Sequence, residues 1–185
     1  MRDRAGTEIV LDSLRFLRNR IDLTIRTQSP LSAPQDLRLR SLDRKRLPAV
    51  LVGDIEDPRE LYAGYDVLVA PRRYGGLSLP LGEAASCGLA ILAGNRLPES
   101  SFLPAESLLP IVTGRPVRFQ SGVTFLEDVT PQGLAAAMDR LVENPSTVAR
   151  LSEASDAHAE SISWPVLLPR WLEMLERTAN LAVVP

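Results

Sequence analysis

The sequence predicts an α/β fold, a parallel sheet wound on both faces by helices. Three observations carry that expectation. The runs Asp66 to Ala70 and Leu89 to Ala93 are apolar at successive rather than alternate positions, the pattern of parallel strands buried on both faces. Amphipathic stretches of helical period separate such runs. The 185 residues, 45% hydrophobic and 24% charged, suffice for one packed domain. Residues 1–185 therefore read as a single domain, with 165–185 as a terminal docking helix and tail.

In chain order, Thr7 to Arg18 sets Val10, Leu14 and Leu17 at helical spacing, with Ile9 and Phe16 widening the apolar face and Thr7 as the expected N-cap. Ile21 to Arg26 reads as a short strand, and Ser29 to Lys45, rich in Pro, Ser and Arg, as a loop. Ala49 to Gly53 is expected to be a buried strand, Pro58 to Tyr65 a short helix, and Asp66 to Ala70 the clearest parallel strand. A Gly-rich turn at Tyr74-Gly75-Gly76 leads into a helix over Leu79 to Cys87. Ser78 is its expected N-cap, Pro80 is tolerated in its first turn, and Gly88 is its stop. The strand Leu89 to Ala93 follows. Asn95 to Asp128 is irregular, with strand-like pieces around Ile111, Val117 and Val123. Helices are expected over Pro131 to Glu143, Thr147 to Ser161 and Pro165 to Thr178, the last docking through Leu168, Trp171, Leu172 and Leu175. Folds of this kind open with a strand that lies in the middle of the sheet. Here only the polar residues Met1 to Gly6 precede the first helix, so the first strand is expected to be missing, or supplied by another segment or chain.

Composition excludes several functions. A net charge of −2 gives no global basic field for nucleic acid or anionic lipid, and the basic run Arg38 to Arg46 lacks interleaved aromatics. It reads as a solvated loop, or otherwise as an anion contact. No apolar run approaches the length that spans a bilayer, which leaves peripheral association at most. Cys87, the single cysteine, cannot form an intramolecular disulfide and is expected to be a buried thiol, consistent with a reducing, cytoplasmic setting. His158, the single histidine, reads as a surface residue, since one imidazole builds neither a metal site nor a Ser-His-Asp set. There is no phosphate-loop or dinucleotide fingerprint, no C-x-x-C and no H-E-x-x-H. Without an Asp-x-Asp pair or a His/Cys cluster, no metal or cofactor is expected. Asp54 and Asp57, the nearest carboxylate pair, read as capping residues.

The segment from Asp66 to Glu99 is the informative one. Between Arg73 and Arg96 the one charged side chain is Glu83, in the first turns of a helix flanked by apolar and small residues. An unpaired carboxylate there is costly. It either pairs with Arg73 or Arg96, or points to water, or accepts hydrogen bonds from vicinal sugar hydroxyls, as acidic residues do in dinucleotide folds. Gly75 and Gly76 permit close backbone approach to a ligand. The helix start beyond them offers N–H groups and a positive dipole end to a pyrophosphate, and Arg72 and Arg73 can add charge-assisted contacts.

This segment, Pro71-Arg72-Arg73-Tyr74-Gly75-Gly76-Leu77-Ser78-Leu79-Pro80-Leu81-Gly82-Glu83-Ala84-Ala85-Ser86-Cys87-Gly88, resembles the nucleotide-sugar-binding motif of retaining GT-B glycosyltransferases of group 1, also called family four. The likeness continues into Asp128-Val129-Thr130-Pro131, the Ser163-Trp164 start of the last helix, and Gly6 with the helix after it. It implies the C-terminal, donor-binding, Rossmann-like half of a GT-B fold, transferring a sugar from a nucleoside diphosphate sugar to an acceptor hydroxyl. It further implies that Glu83 holds the ribose, that Gly75, Gly76, Leu77 and Ser78 line the phosphates, and that Arg4 and Arg73 offset their charge. The pattern departs from the family at two places. The first of the two family glutamates falls at Gly75, and a basic position ahead of the first helix falls at Ala5. The acceptor-side N-terminal domain is not in this sequence. The readings left open are a donor-binding half of an enzyme, a non-catalytic nucleotide-binding module, and an interaction domain whose open sheet position a partner fills.

Overall fold

The structure, a computed structural model, describes residues 5–72, 77–94, 101–111, 113–119 and 124–181. Strand β1 (Thr24–Thr27) pairs in parallel with β2 (Ala49–Val52). Strand β3 (Val67–Ala70) pairs in parallel with β4 (Ala90–Ala93), and β4 with β5 (Leu108–Pro110). An antiparallel hairpin, β6 (Thr113–Phe119) and β7 (Thr124–Val129), follows. The helices are α1 (Thr7–Ser13), α2 (Ala33–Arg40), α3 (Leu79–Ser86), α4 (Pro131–Glu143), α5 (Pro145–Ser161) and α6 (Trp164–Leu181). The expected α/β class, and parallel pairing of its apolar runs, are what the chain adopts.

Alternation along β3 and β4 divides the core in two. Val67, Val69, Ala90 and Leu92 join Ile25 of β1 in one cluster with Val10, Leu11 and Leu14 on the α1 side and Leu134, Met138 and Leu141 of α4. Leu68, Ala70, Ile91 and Ala93 join the other, with Leu81, Ala84 and Ala85 of α3 and Leu103. Helices thus cover both faces, as a doubly wound sheet requires. From α5, the Ser152 and Ser155 hydroxyls donate to the Gly88 and Leu89 carbonyls at 2.5 and 2.8 Å, fixing the turn into β4.

The parallel strands do not form one ladder. β1–β2 and β3–β4–β5 are separate sheets, yet Ile25 and Val67 share one core cluster. They belong to one layer with a gap between β1 and β3, where an α/β sheet places its first strand. That gap explains why β3, expected to be buried, is half-buried, whereas β4 is buried throughout.

Several other expectations are corrected. Gly6, not Thr7, is the N-cap of α1. The helix stops at Ser13, whose hydroxyl donates to the Val10 carbonyl at 2.7 Å, although Leu14 and Leu17 remain buried. The first strand begins at Thr24 rather than Ile21. The stretch taken as a loop contains α2, with Pro34 in its first turn and the Ser32 N–H donating to Gln35 Oε1 at 2.9 Å. No residue of α2 is buried, so no apolar stripe announces it. Ion pairs from Arg38 to Glu8 at 3.1 Å and to Asp12 at 3.0 Å hold it to α1. The basic run is thus partly structural, and Arg46 also donates to the Leu14 carbonyl. Strand β2 is largely exposed because it lies at the end of its sheet. Pro58–Leu61 forms a single 3-10 turn, which Asp57 caps by accepting from the Arg59 N–H. Ile111 follows β5 rather than lying in it, and Val123 lies outside the described residues. The apolar face of α6 does not dock on the core: Leu168, Trp171, Leu172 and Leu175 stay about half exposed. No helix among the described residues is long and apolar enough to cross a membrane.

One buried carboxylate ties α4 to the end of the first helical segment. Asp139 is 1% exposed. It accepts from the Arg18 N–H at 3.1 Å and from the Asn19 N–H and side-chain amide at 2.9 and 3.0 Å. Burial pushes its carboxyl up, but the donors from Asn19 and Arg18 together outweigh that and hold it below the usual range. The folded-state value is depressed, so the stabilisation is present above the unfolded value near ~3.9 and lost as pH falls through the folded one. Asp139→Asn turns an amide donor toward N–H groups and is expected to destabilise the fold by ~2–4 kcal/mol. Urea unfolding at pH 7 and pH 3 checks this, with the difference between variant and parent shrinking at the lower pH.

Candidate functional site

The carboxyl end of β3 gathers the start of two helices. Gly6 has φ +85°, and a Cβ there would lie 2.3 Å from the Pro71 carbonyl oxygen. Only glycine combines that backbone with that approach. The contact sets the start of α1 against the residue that ends β3. The first turn of α3 comes to the same place: Ala5, Thr7, Pro71, Pro80 and Glu83 all line one cleft of about 450 Å³. In open α/β sheets, ligands bind outside the carboxyl ends of strands where the strand order reverses, and helix starts there favour anions.

Glu83 sits on the exposed side of α3, because Leu81, Ala84 and Ala85 take the face toward the core. It is exposed and lines the cleft, as expected of a ligand-facing carboxylate. Its Oε2 accepts from the Tyr62 hydroxyl at 2.5 Å. The Tyr62 ring packs against the α3-side core while its hydroxyl reaches out, the usual arrangement of an amphipathic aromatic. Burial first, and then the Glu83 hydrogen bond, pushes the Tyr62 phenol well above its ordinary range. It therefore remains a neutral donor across the physiological range. Among the described residues, no protein group donates to Glu83 Oε1.

Tyr62 was not legible in the sequence, where it is one aromatic residue in a short turn 21 positions before its partner. Of the residues the sequence singles out, Arg4, Arg73, Gly75 and Gly76 lie outside the described residues, as does Arg96. Leu77 is 71% exposed at the mouth of a neighbouring cavity that Glu83 also lines. Ser78 occupies the N-cap position of α3 but makes no capping bond; its buried hydroxyl accepts from Arg72 Nη1 at 2.6 Å. Arg72 thereby ties the residue after β3 to the start of α3. The α3 start is also a leaner anion site than expected. Pro80 has no N–H and the Leu81 N–H is taken by the Ser78 carbonyl, so Leu79 supplies the remaining amide of the first helical turn. Cys87 is exposed rather than buried, because it falls at the C-cap of α3 beyond the core-facing positions. His158 is half-buried within α5. A further cavity, lined by Arg20, Arg44, Lys45 and Leu47, lies at the amino ends of β1 and β2, the opposite end from Glu83.

A family model described as glycosyl transferases group 1 matches residues 1–144. The chain belongs to this family. No curated protein matches it. Among solved structures, it is similar to Anabaena HepE in complex with UDP, at 15% identity and a TM-score of 0.70, over 94% of this chain and 46% of that one. Sucrose-phosphate synthase from Thermosynechococcus elongatus aligns at 18% identity and a TM-score of 0.62, over 97% of this chain and 43% of that one. The C-terminal domain of the group 1 family protein LpcC from Francisella tularensis aligns at 16% identity and a TM-score of 0.61, over 88% of this chain and 81% of that one. This group 1 chain thus spans about half the length of HepE and of sucrose-phosphate synthase, and its fold is that of the C-terminal Rossmann-like half.

Replacing Gly6 tests the backbone contact that assembles the site. Gly6→Ala combines a left-handed backbone with overlap on Pro71 and is expected to cost ~2–4 kcal/mol of stability. Chemical denaturation measures it, and a loss below ~0.5 kcal/mol contradicts the tight approach.

Proposed function

We propose that this chain is the donor-binding half of a glycosyltransferase and seats a nucleoside diphosphate sugar at the carboxyl end of β3. The observation that carries the proposal is the Glu83 carboxylate, oriented by Tyr62 beside two converging helix starts. Its two oxygens suit vicinal ribose hydroxyls. With Tyr62 holding one oxygen, the carboxylate is set in place before the ligand arrives, which reduces the ordering cost of binding. The diphosphate lies against the starts of α1 and α3. Leu77, Ser78 and the Gly75-Gly76 turn line it, and Arg4 and Arg73 offset its charge. In the reaction the bond from the anomeric carbon to the diphosphate breaks, a bond to an acceptor hydroxyl forms with retention, and the charge growing on the leaving diphosphate is stabilised by dipoles and basic side chains. The acceptor site belongs to a further domain or a partner chain, and the setting is cytoplasmic. HepE was solved with UDP and with UDP-glucose, and the pneumococcal transferase GtfA with UDP and GlcNAc, which makes UDP the natural probe.

A second reading has one specific observation in its favour. Gly75 stands where the family pattern has the first of its two glutamates, so the chain could bind a nucleotide without transferring a sugar. Release of free nucleoside diphosphate in the presence of acceptor separates the enzyme from the binding module.

Calorimetric titration with UDP tests the site. Glu83→Gln keeps the shape and removes the charge, and is expected to weaken binding by ~1.5–3 kcal/mol. Tyr62→Phe is expected to weaken it less, by ~0.5–1.5 kcal/mol, by freeing the carboxylate to reorient. Unchanged affinity in Glu83→Gln removes the ribose role. We further propose that no metal takes part in binding, because the sequence offers no ligand cluster with suitable spacing. Excess chelator is expected to leave the affinity unchanged, and a loss restored by magnesium or manganese overturns this.

A further inference from the structure

We infer that the amino ends of β1 and β2 form a docking surface for an anionic phospholipid bilayer, met through Arg15, Arg20, Arg44, Lys45 and Arg46. The inference does not depend on the nucleotide reading, because this surface lies at the opposite end of the strands from Glu83.

The charge of the chain is unevenly placed. Residues 15–46 hold nine of its 21 Lys and Arg but three of its 23 Asp and Glu. A chain of net charge −2 thus carries a local basic field that the whole-chain balance conceals. Four of the nine are engaged elsewhere. Arg18 pairs with Glu143 and Asp139, Arg38 with Glu8 and Asp12, and Arg40 with Asp36. Arg26 lines the cleft that Glu83 shares.

The other five are exposed, and folding brings them together. Arg15 Nη2 donates to the Ser41 hydroxyl, and Arg46 Nη1 to the Leu14 carbonyl at 2.8 Å. These two bonds seat residues 41–46 on the end of the first helical segment and leave both guanidinium charges unneutralised. Arg20, Arg44 and Lys45 line one open cavity of about 700 Å³, together with Ile21 and Leu47. Two carboxylates lie nearby, and neither cancels the field. Asp43 is turned to the backbone, where it accepts from the Lys45 N–H at 3.0 Å. Asp22 meets Arg20 only at 3.9 Å, with both side chains in solvent, and such pairs are weak. Among the described residues, the side chains of Arg44 and Lys45 have no partner.

Cations without carboxylate partners select an anion, and the apolar side chains beside them select its kind. Phe16, next to Arg15, and Leu47, next to Arg46, are 47% and 46% exposed. A dissolved phosphate gives such side chains nothing to bury against. A bilayer interface takes cationic heads and apolar side chains together. A nucleic-acid strand calls for stacking aromatics, and Phe16 is the one aromatic residue between 15 and 46. Each Lys or Arg held near an anionic bilayer strengthens binding about fivefold. Docked by this end, the chain keeps the Glu83 cleft open to solvent.

Sedimentation of the 185-residue chain with vesicles of equal parts phosphatidylglycerol and phosphatidylcholine tests the proposal. Binding is expected at ~0.05 M salt and its loss at ~0.5 M, with none to phosphatidylcholine alone. Arg44→Gln with Lys45→Gln is expected to weaken binding at least tenfold. Neither side chain has a partner to lose, so the melting temperature is expected to match the parent's. Arg170→Gln with Arg177→Gln removes the same charge from α6 and is expected to leave binding unchanged. The proposal falls if anionic vesicles do not carry the chain down, or if neutral ones carry it equally. It falls if the α6 pair loses binding instead, which makes the apolar face of α6 the contact. Displacement by millimolar inorganic phosphate makes the cavity a small-anion site, and equal affinity for polyuridylate makes the surface a general polyanion contact; either result overturns the assignment to a bilayer.

Discussion

Side-chain packing under α1, rather than a backbone ladder, holds the two parts of the sheet together. Ile25 on one side of the gap and Val67 and Val69 on the other meet Val10, Leu11 and Leu14 in one cluster. A ladder would fix the two parts by directional bonds at each residue. An apolar core fixes them by volume and close packing, which tolerates small displacements before it fails. The position of β1 relative to β3 therefore rests on side-chain packing, without a backbone ladder between them. The parts away from it are secured by hydrogen bonds as well: α5 by its serines to the start of β4, and α4 by Asp139 to Arg18 and Asn19.

That joint lies beside the site. Gly6 against Pro71 sets the start of α1, while Tyr62 on Glu83 sets the carboxylate on α3. Both helix starts are thus referred to the carboxyl end of β3, which sets the distance between them, the dimension a diphosphate has to match.

Much of this was legible in the sequence, for identifiable reasons. The apolar runs at β3 and β4 declared themselves because a two-sided buried strand admits few polar residues. The α4 helix, Pro131–Glu143, was read to the residue because its Pro start and apolar stripe agree. By contrast, α2 buries nothing and depends on ion pairs formed across 26 and 30 positions of chain, so local pattern gave no stripe to follow. Glu83 stood out by isolation among uncharged residues. Its partner Tyr62 did not, because the pairing exists only once β3 and α3 are packed. Ser78 was legible as a cap position but not as the acceptor of Arg72, a choice made by burial. The α6 stripe predicted docking, and the described residues leave that stripe half exposed.

The central claim is that a nucleoside diphosphate sits at the carboxyl end of β3, between the starts of α1 and α3. Amide chemical-shift mapping of the 185-residue chain during titration with UDP tests it most directly. The account predicts shifts concentrated at Gly6, Thr7, Glu8, Leu79 and Glu83, with Tyr62 moving in step. Shifts centred instead on Arg44, Lys45 and Ala49, at the amino ends of β1 and β2, or on the β6–β7 hairpin, contradict it.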